Sequence, residues 1–283
     1  MAYASGMTGQ RIAVLGAGYV GAACARAAAA AGHTVWAVRR SAPAEAAADG
    51  VHWIRGDVAA GHIAALPASL DVLVLAVAPR AGADQYRDVY PPAARSAVAI
   101  ATATGATRLL YTSSTGVYGG RDGALVTEMS SRAGAGESSA ALMEAEDVLF
   151  DATNLRPTVL RVAGIYGPGR DPRPRFRQAG SLPERGEYWV NLAHRDDIVA
   201  AILHVGALAH PPSVLNVSDG ASTRAADVCR WLAATEGRDV GTLEFGNETQ
   251  ASRNNQRVGN SALVATGWTP HYASFREGFT RGL

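Results

Sequence analysis

The stretch from Arg11 through Gly21 constrains this chain more than any other. Arg11–Leu15 reads as a buried strand, the turn Gly16-Ala17-Gly18-Tyr19-Val20-Gly21 follows at once, and the alanine-rich segment Tyr19–Ala31 has the composition of a helix. The first glycine permits a tight turn, the second leaves the backbone open to close approach, and the third lets the helix lie close against a sheet. A helix starting there directs unpaired N–H groups and the positive end of its dipole at whatever occupies the loop, which suits a pyrophosphate. In this strand–turn–helix setting the motif reads as a dinucleotide site, with Gly16, Gly18, Tyr19, Val20 and Gly21 as its contacts.

The rest of the chain keeps the same rhythm. Apolar runs rich in branched residues recur at Thr34–Val38, Val51–Ile54, Val72–Val77, Arg108–Ser113 and Pro157–Val162, each too short and too continuous for an amphipathic helix. Helical segments are expected between them at Pro92–Thr104 and Ser138–Asp151. Alternation of this kind predicts an α/β fold, a Rossmann-type doubly wound parallel sheet. Past Gly164 the pattern gives way to a loop rich in Pro, Gly and Arg (Gly167–Arg177). A helix over His194–Leu208, a short strand over Val214–Val217 and a helix over Thr223–Thr235 follow, predicting a smaller C-terminal substrate-binding lobe. The expected organisation is a leader over residues 1–10, a dinucleotide-binding domain over 11–163 and the lobe over 164–283, its elements interleaved with the first domain.

Composition removes several classes of function. With 48% apolar residues, 18% charged residues and a net charge of +1 over 283 residues, the chain has no bulk charge to recruit nucleic acid. Its longest low-polarity run, Ala22 to Ala31, is too short for a membrane span and carries Arg26. The two cysteines, Cys24 and Cys229, have neither disulfide-framework nor metal-ligand spacing and read as small core residues, so no metal is expected. No basic segment followed by an apolar stretch opens the chain, and a cytoplasmic protein is the expectation.

The second strand ends in Arg39-Arg40, where NAD-binding proteins usually place an acidic residue for the ribose hydroxyls. Two cations there favour a 2′-phosphate, hence NADP over NAD; the alternative is one arginine stacked on the adenine and the other in water. Asp57 is placed to accept from the adenine amino group or to form a turn, and Ala76 and Val77, ending the fourth strand, complete the cofactor set.

The segment Tyr111-Thr112-Ser113-Ser114-Thr115-Gly116-Val117-Tyr118-Gly119 resembles the extended short-chain dehydrogenase/reductases, the NAD(P)-dependent epimerase/dehydratase relatives. Leu160–Arg170, Asn191–Ile198, Asn216–Asp219 and Gly267-Trp268-Thr269-Pro270 with Tyr272 match further family segments in order, over nearly the whole chain. The resemblance implies that Ser114 is the family's catalytic serine, which hydrogen-bonds the reacting oxygen of the substrate. It also implies a Tyr-x-x-x-Lys pair at the start of the next helix, yet Glu128 to Glu146 holds neither residue, and spacing back from Glu146 sets the two positions at about Ser138 and Leu142. A serine hydroxyl is far too weak an acid to replace a phenol tuned toward neutrality. The glycine loop also departs, reading Gly-x-Gly-x-x-Gly where the extended enzymes have Gly-x-x-Gly-x-x-Gly, and both departures resemble the atypical branch of the family.

If a hydride is used, another proton donor is required, and Tyr118, Tyr166 and His194 are the titratable candidates on the matching segments. For Tyr118 the alternative is a packing role, for His194 a structural role beside Asp196 and Asp197, and for Ser114 a hydroxyl that only caps a turn. The substrate contacts expected are Ser114, Tyr166, Arg170, Arg175 and Arg257, with Arg173, Arg177 and Arg253 nearby. These arginines form either a clamp for a small anionic metabolite or a solvated charged surface. Two functions follow: an NADP-dependent oxidoreductase of reductase or epimerase type with a non-standard proton donor, or a non-catalytic NADP-binding sensor similar to NmrA-like proteins. By analogy with the family, a homodimer is expected.

Overall fold

The computed structural model describes residues 9–41, 49–61, 63, 65–79, 86–177, 186–239 and 255–283. Arg253 and most of the expected leader lie outside them. The chain divides into two compact units, Met1–Val117 with Ala135–Arg161 and Ile198–Leu215, and Tyr118–Gly134 with Val162–Asp197 and Asn216–Leu283.

The first unit is built on β1 (Arg11–Leu15), β2 (Thr34–Arg39), β3 (Val51–Arg55), β4 (Val72–Leu75), β5 (Arg108–Ser114) and β7 (Pro157–Val162). These belong to a seven-stranded sheet in the order β11-β7-β5-β4-β1-β2-β3, β11 being Val214–Val217. The pairs β3–β2, β2–β1, β1–β4 and β4–β5 are parallel. Every residue of β4 and of β7 is buried, as expected of strands covered on both faces. Strand order runs one way from β1 through β2 to β3 and the other way from β4 to β5, so the β1/β4 boundary is the switch point, where α/β sheets open a crevice at their carboxyl ends.

Helix α1 (Tyr19–Ala30) buries Gly21, Cys24, Ala25 and Ala28, one stripe of small residues at helical spacing, which lets it lie close to the sheet. Both cysteines are free and buried, and burial pushes the Cys24 thiol up to about 12 and the Cys229 thiol to about 11. Helix α2 spans Tyr86–Thr104, beginning six residues before the expected start at Pro92, with Pro91 and Pro92 inside it. Each proline removes one ladder bond, but the buried face of Pro91, Ala93, Ala94, Ala97 and Ala101 carries the helix through. Helices α3 (Glu137–Phe150) and α5 (Arg195–Ala207) complete this unit's long helices, apart from the first residues of α5.

The second unit is made of short pieces. Strand pairs β10 (Leu192–His194) with β8 (Gly164–Tyr166), β12 (Thr223–Arg224) with β9 (Trp189–Val190), and β13 (Gln256–Val258) with β6 (Ala124–Val126) frame it. Part of the expected loop Gly167–Arg177 is helix α4 (Arg173–Arg177), whose first N–H is capped by Asp171 at 2.8 Å. Helices α6 (Ala225–Thr235), α7 (Ser261–Ala265) and α8 (Phe275–Arg281) follow. The core gathers Tyr166, Phe176, Leu192, Val228, Leu232, Phe275 and Phe279. Among the described residues no helix is long and apolar enough to cross a membrane, and no group of His, Cys, Asp or Glu could hold a metal ion.

Candidate functional site

The three loop glycines do three different jobs. Gly16 has φ +90°, and a Cβ there would lie 2.7–2.8 Å from Val77 and the Ala76 carbonyl carbon; β4 ends at Leu75, two residues short of the expected Val77, and it is the loop just past it that abuts the turn. A Cβ on Gly21 would lie 2.4 Å from the Gly16 carbonyl oxygen, which fixes the close packing of α1. Around Gly18 a Cβ would meet nothing within 4 Å: this backbone is open to a ligand. The loop is pinned from behind, because the N–H groups of Gly16 and Ala17 both donate to the Val38 carbonyl, at 3.0 and 2.8 Å.

Helix α1 has no side-chain cap at its N-terminus and no acidic residue in its first turn. The positive end of its dipole is therefore not neutralised within the helix, and Tyr19, Val20 and Gly21 present the first-turn amides there. An open glycine backbone beside an uncapped, acid-free helix start fits the pyrophosphate of an NAD(P) cofactor. The ends of β2 and β3 flank this crevice. Arg39 is half-buried and Arg40 exposed, and Arg39 stands in register with exposed Arg55 on the next strand. Like charges side by side on a sheet face repel, and an anion placed between them relieves the cost. Asp57 is exposed, and its Oδ1 already accepts from the Ala59 N–H at 3.0 Å, closing a turn.

On the other side of the switch point, Ser114 ends β5, whose Tyr111 pairs with Leu75 of β4. Its Oγ accepts from the Gly116 N–H at 3.1 Å, which leaves the hydroxyl proton for another acceptor. The adjacent Ser113 faces α3 instead and donates to Glu146 Oε1 at 2.7 Å. Glu146 is fully buried and is held by Arg161 through Nε at 3.1 Å and Nη2 at 2.7 Å. Of the two residues that the resemblance sets near the expected tyrosine and lysine, Ser138 is half-buried and Leu142 is packed in the core. All 26 of the cationic side chains counted as Lys or Arg are arginines, so no lysine exists elsewhere in the chain to take that role.

The other expected proton donors lie in the second unit, and their surroundings argue against that role. Tyr118 is fully buried and donates to Asn216 Oδ1 at 2.7 Å. His194 is buried with both ring nitrogens engaged: Nδ1 accepts from the Asp196 N–H at 3.1 Å, and Nε2 therefore donates to the Gly282 carbonyl at 2.6 Å. The imidazole thereby ties β10 to the backbone at Gly282, with neither ring nitrogen left to face a substrate. Tyr166 is fully buried, its hydroxyl has no hydrogen-bond partner, and burial raises the phenol far above its ordinary range. A Cβ on Gly278 would fall on that hydroxyl, so the ring is sealed against α8 and does not face a substrate.

The arginines expected as a clamp are spread over different elements. Arg170 and Arg175 are exposed, Arg173 pairs with Asp171 at 2.8 Å and Arg177 with Glu236 at 2.6 Å. Arg257 lies on β13, where Nε donates to the Gly123 carbonyl at 2.8 Å and the guanidinium sits 5.4 Å from the centre of the Trp189 ring. Arg55, Ser139, the Glu146–Arg161 pair and Asp219 are not legible as site residues in the sequence, because their roles rest on contacts with distant residues. Asp219 is nearly buried and is pushed up to about 7, first by burial and then by its neighbour Asp197.

Residues 16–205 match the model of a family described as NAD(P)H-binding. Among curated proteins, the chain is 41% identical over 95 residues to Protein YeeZ of Escherichia coli strain K12; the match spans about a third of either protein, 34% of each. Among solved structures, it is 29% identical to a protein of Methylobacillus flagellatus assigned as an NAD-dependent epimerase/dehydratase, over 96% of each chain with a TM-score of 0.77. WbmG of Bordetella bronchiseptica, solved with NAD, has 18% identity and a TM-score of 0.80 over 96% of this chain and 92% of that one, a likeness of fold.

Proposed function

The chain belongs to the NAD(P)H-binding family, and from that premise we propose that it is an NADP-dependent oxidoreductase of reductase or epimerase type acting on a small anionic metabolite. The observation that carries this reading is Ser114, at the carboxyl end of β5, with its acceptor side occupied by Gly116 and its proton still to give. A donor held in that way suits the oxygen of a carbonyl on which negative charge develops. When bound, the cofactor supplies the hydride. Gly18 and the start of α1 hold the pyrophosphate, and Arg39, Arg40 and Arg55 hold the 2′-phosphate that distinguishes NADP from NAD. The anionic character of the substrate is the expectation raised by the arginine-rich segment around Arg170 and Arg175. The proton is drawn from water or from the substrate's own acidic group, since Tyr118, Tyr166 and His194 are enclosed. The expected setting is a cytoplasmic homodimer.

The test is NADPH consumption against a panel of phosphorylated and carboxylated carbonyl compounds, in the native protein and in Ser114→Ala. Turnover that falls at least about a hundredfold in the variant, with NADPH binding intact, supports the reading; undiminished turnover removes Ser114 from it. One observation favours a second reading, a non-catalytic NADP sensor: Leu142, near the position where the resemblance sets the family's lysine, is packed in the core. Tight NADPH binding with no turnover of any panel member would decide for the sensor.

A further inference from the structure

One face of helix α3 grips the end of β5 and the turn that follows it. Ser139 Oγ donates to the Gly116 carbonyl at 2.8 Å, and Glu146 accepts from Ser113 at 2.7 Å. These helix positions are two turns apart and so share a side, with Leu142 packed between them. What they hold brackets Ser114. Ser113 precedes it in the strand, and Gly116, whose carbonyl Ser139 binds, is also the residue whose N–H anchors the Ser114 hydroxyl. A rigid helix therefore fixes the backbone on both sides of one half-buried hydroxyl.

The energetic setting is informative. Glu146 and Arg161 are both buried, and a buried ion pair commonly adds less net stability than apolar side chains of similar volume. What the pair contributes here is direction. Arg161 binds Glu146 by two hydrogen bonds from β7 and turns Oε1 toward Ser113. Because successive strand residues face opposite ways, holding Ser113 against Glu146 sends Ser114 to the other face of the strand, where its Oγ and that of Ser139 both lie beside Gly116.

We propose that Ser139 and Glu146 are positioning residues that hold the Ser114 hydroxyl as a fixed hydrogen-bond donor. The inference rests on the reading of Ser114 as the substrate-side donor. The face of α3 that carries a tyrosine–lysine pair in relatives by resemblance serves here to immobilise the serine. In that arrangement the serine works by orientation alone, with no proton passed to or from α3.

The test reads the site without a substrate. The Gly116 amide hydrogen, bonded to Ser114 Oγ, is followed by hydrogen exchange in the cofactor-free protein. Ser139→Ala and Ser113→Ala, which spare the buried ion pair, are each expected to speed its exchange by about fivefold or more. Ser139→Thr, which keeps the donor oxygen, restores the native rate. The amides of Val14 and Leu73 in the central strands keep their native protection. Native Gly116 exchange in both alanine variants overturns the proposal, and so does an equal acceleration at Val14 and Leu73, which marks general loosening. For any compound the native protein reduces, Ser139→Ala lowers kcat and leaves the KM for NADPH in place; a change in KM alone counts against positioning. A native protein that binds NADPH and reduces nothing defeats the oxidoreductase reading, whereas the exchange result is obtained independently of that outcome.

Discussion

Asp219→Asn should make the protein more stable, and increasingly so as pH rises. Asp219 follows β11, its backbone N–H donates to the Leu192 carbonyl at 2.8 Å, and its Oδ1 accepts from the Ala221 N–H at 3.0 Å. It is 7% exposed, and Asp197, its electrostatic neighbour, is 4% exposed. Asp197 accepts from the N–H groups of His271 and Tyr272, yet burial still raises its carboxyl above the ordinary range. Asp219 has less help and is lifted from 3.8 to about 7, by burial first and the Asp197 charge second.

A folded-state value above the unfolded one means that the native state holds the proton more tightly. Stability is then complete below about pH 4, declines as the unfolded chain ionises above that, and levels off past pH 7. A displacement of roughly three units is worth ~4 kcal/mol across the whole range, of which roughly 2–3 kcal/mol falls between pH 5 and pH 8. Asparagine keeps the acceptor for Ala221 and removes the charge. Urea unfolding followed by tryptophan fluorescence, on native protein and variant at both pH values, should show the variant's advantage widening by that amount. An advantage that is the same at pH 5 and pH 8 would refute the argument, because it would mean that Asp219 titrates alike in the folded and unfolded chain.

Other outcomes follow from single contacts. The double variant Arg39→Ala/Arg40→Ala should weaken NADPH binding by ~10–100-fold and leave NADH nearly unchanged, as read by cofactor fluorescence; equal losses for both would defeat the 2′-phosphate assignment. Tyr118→Phe strands the buried Asn216 oxygen and should cost ~1–3 kcal/mol in chemical denaturation, whereas Tyr166→Phe removes a hydroxyl without a partner and should cost nothing or stabilise. Gly18→Ala should melt close to the native temperature yet lose cofactor affinity, since its Cβ meets only the ligand's space. Gly21→Ala should lose ~1–3 kcal/mol of stability, because its Cβ would press on the Gly16 carbonyl.

What the sequence revealed depended on the range of the interaction involved. The strands β1, β2, β3, β5, β7 and β11 could be read to within about a residue, because each is a short run rich in branched apolar residues bounded by turns. The strands β6, β8, β9, β10, β12 and β13 could not, since two or three residues carry no period. They are held by distant side chains: Asn191 alone donates to the Gln256 carbonyl and accepts from Ser222 and from the Val258 N–H. The start of α2 was hidden by Pro91 and Pro92, whose local preference packing overrides.

The same division runs through the site. Gly16 is legible because a positive φ is a property of one residue, and Arg39-Arg40 because they end a recognisable strand. Arg55 is not, because its tie to Arg39 is a cross-strand register across 16 positions. Tyr118, Tyr166 and His194 read as donors for the opposite reason: their chemistry is visible in the sequence, and their burial and partners are not. With those three enclosed and no lysine in the chain, no coupled phenol–amine pair remains to titrate near neutrality in the crevice. Any turnover should therefore show no limb from a phenol–amine pair, and Ser114 should contribute none either, since a serine hydroxyl stays protonated throughout. A profile whose inflection stays fixed when the substrate is changed, when NADH replaces NADPH and in Asp219→Asn would place a titrating protein group at the site and overturn this account of its chemistry.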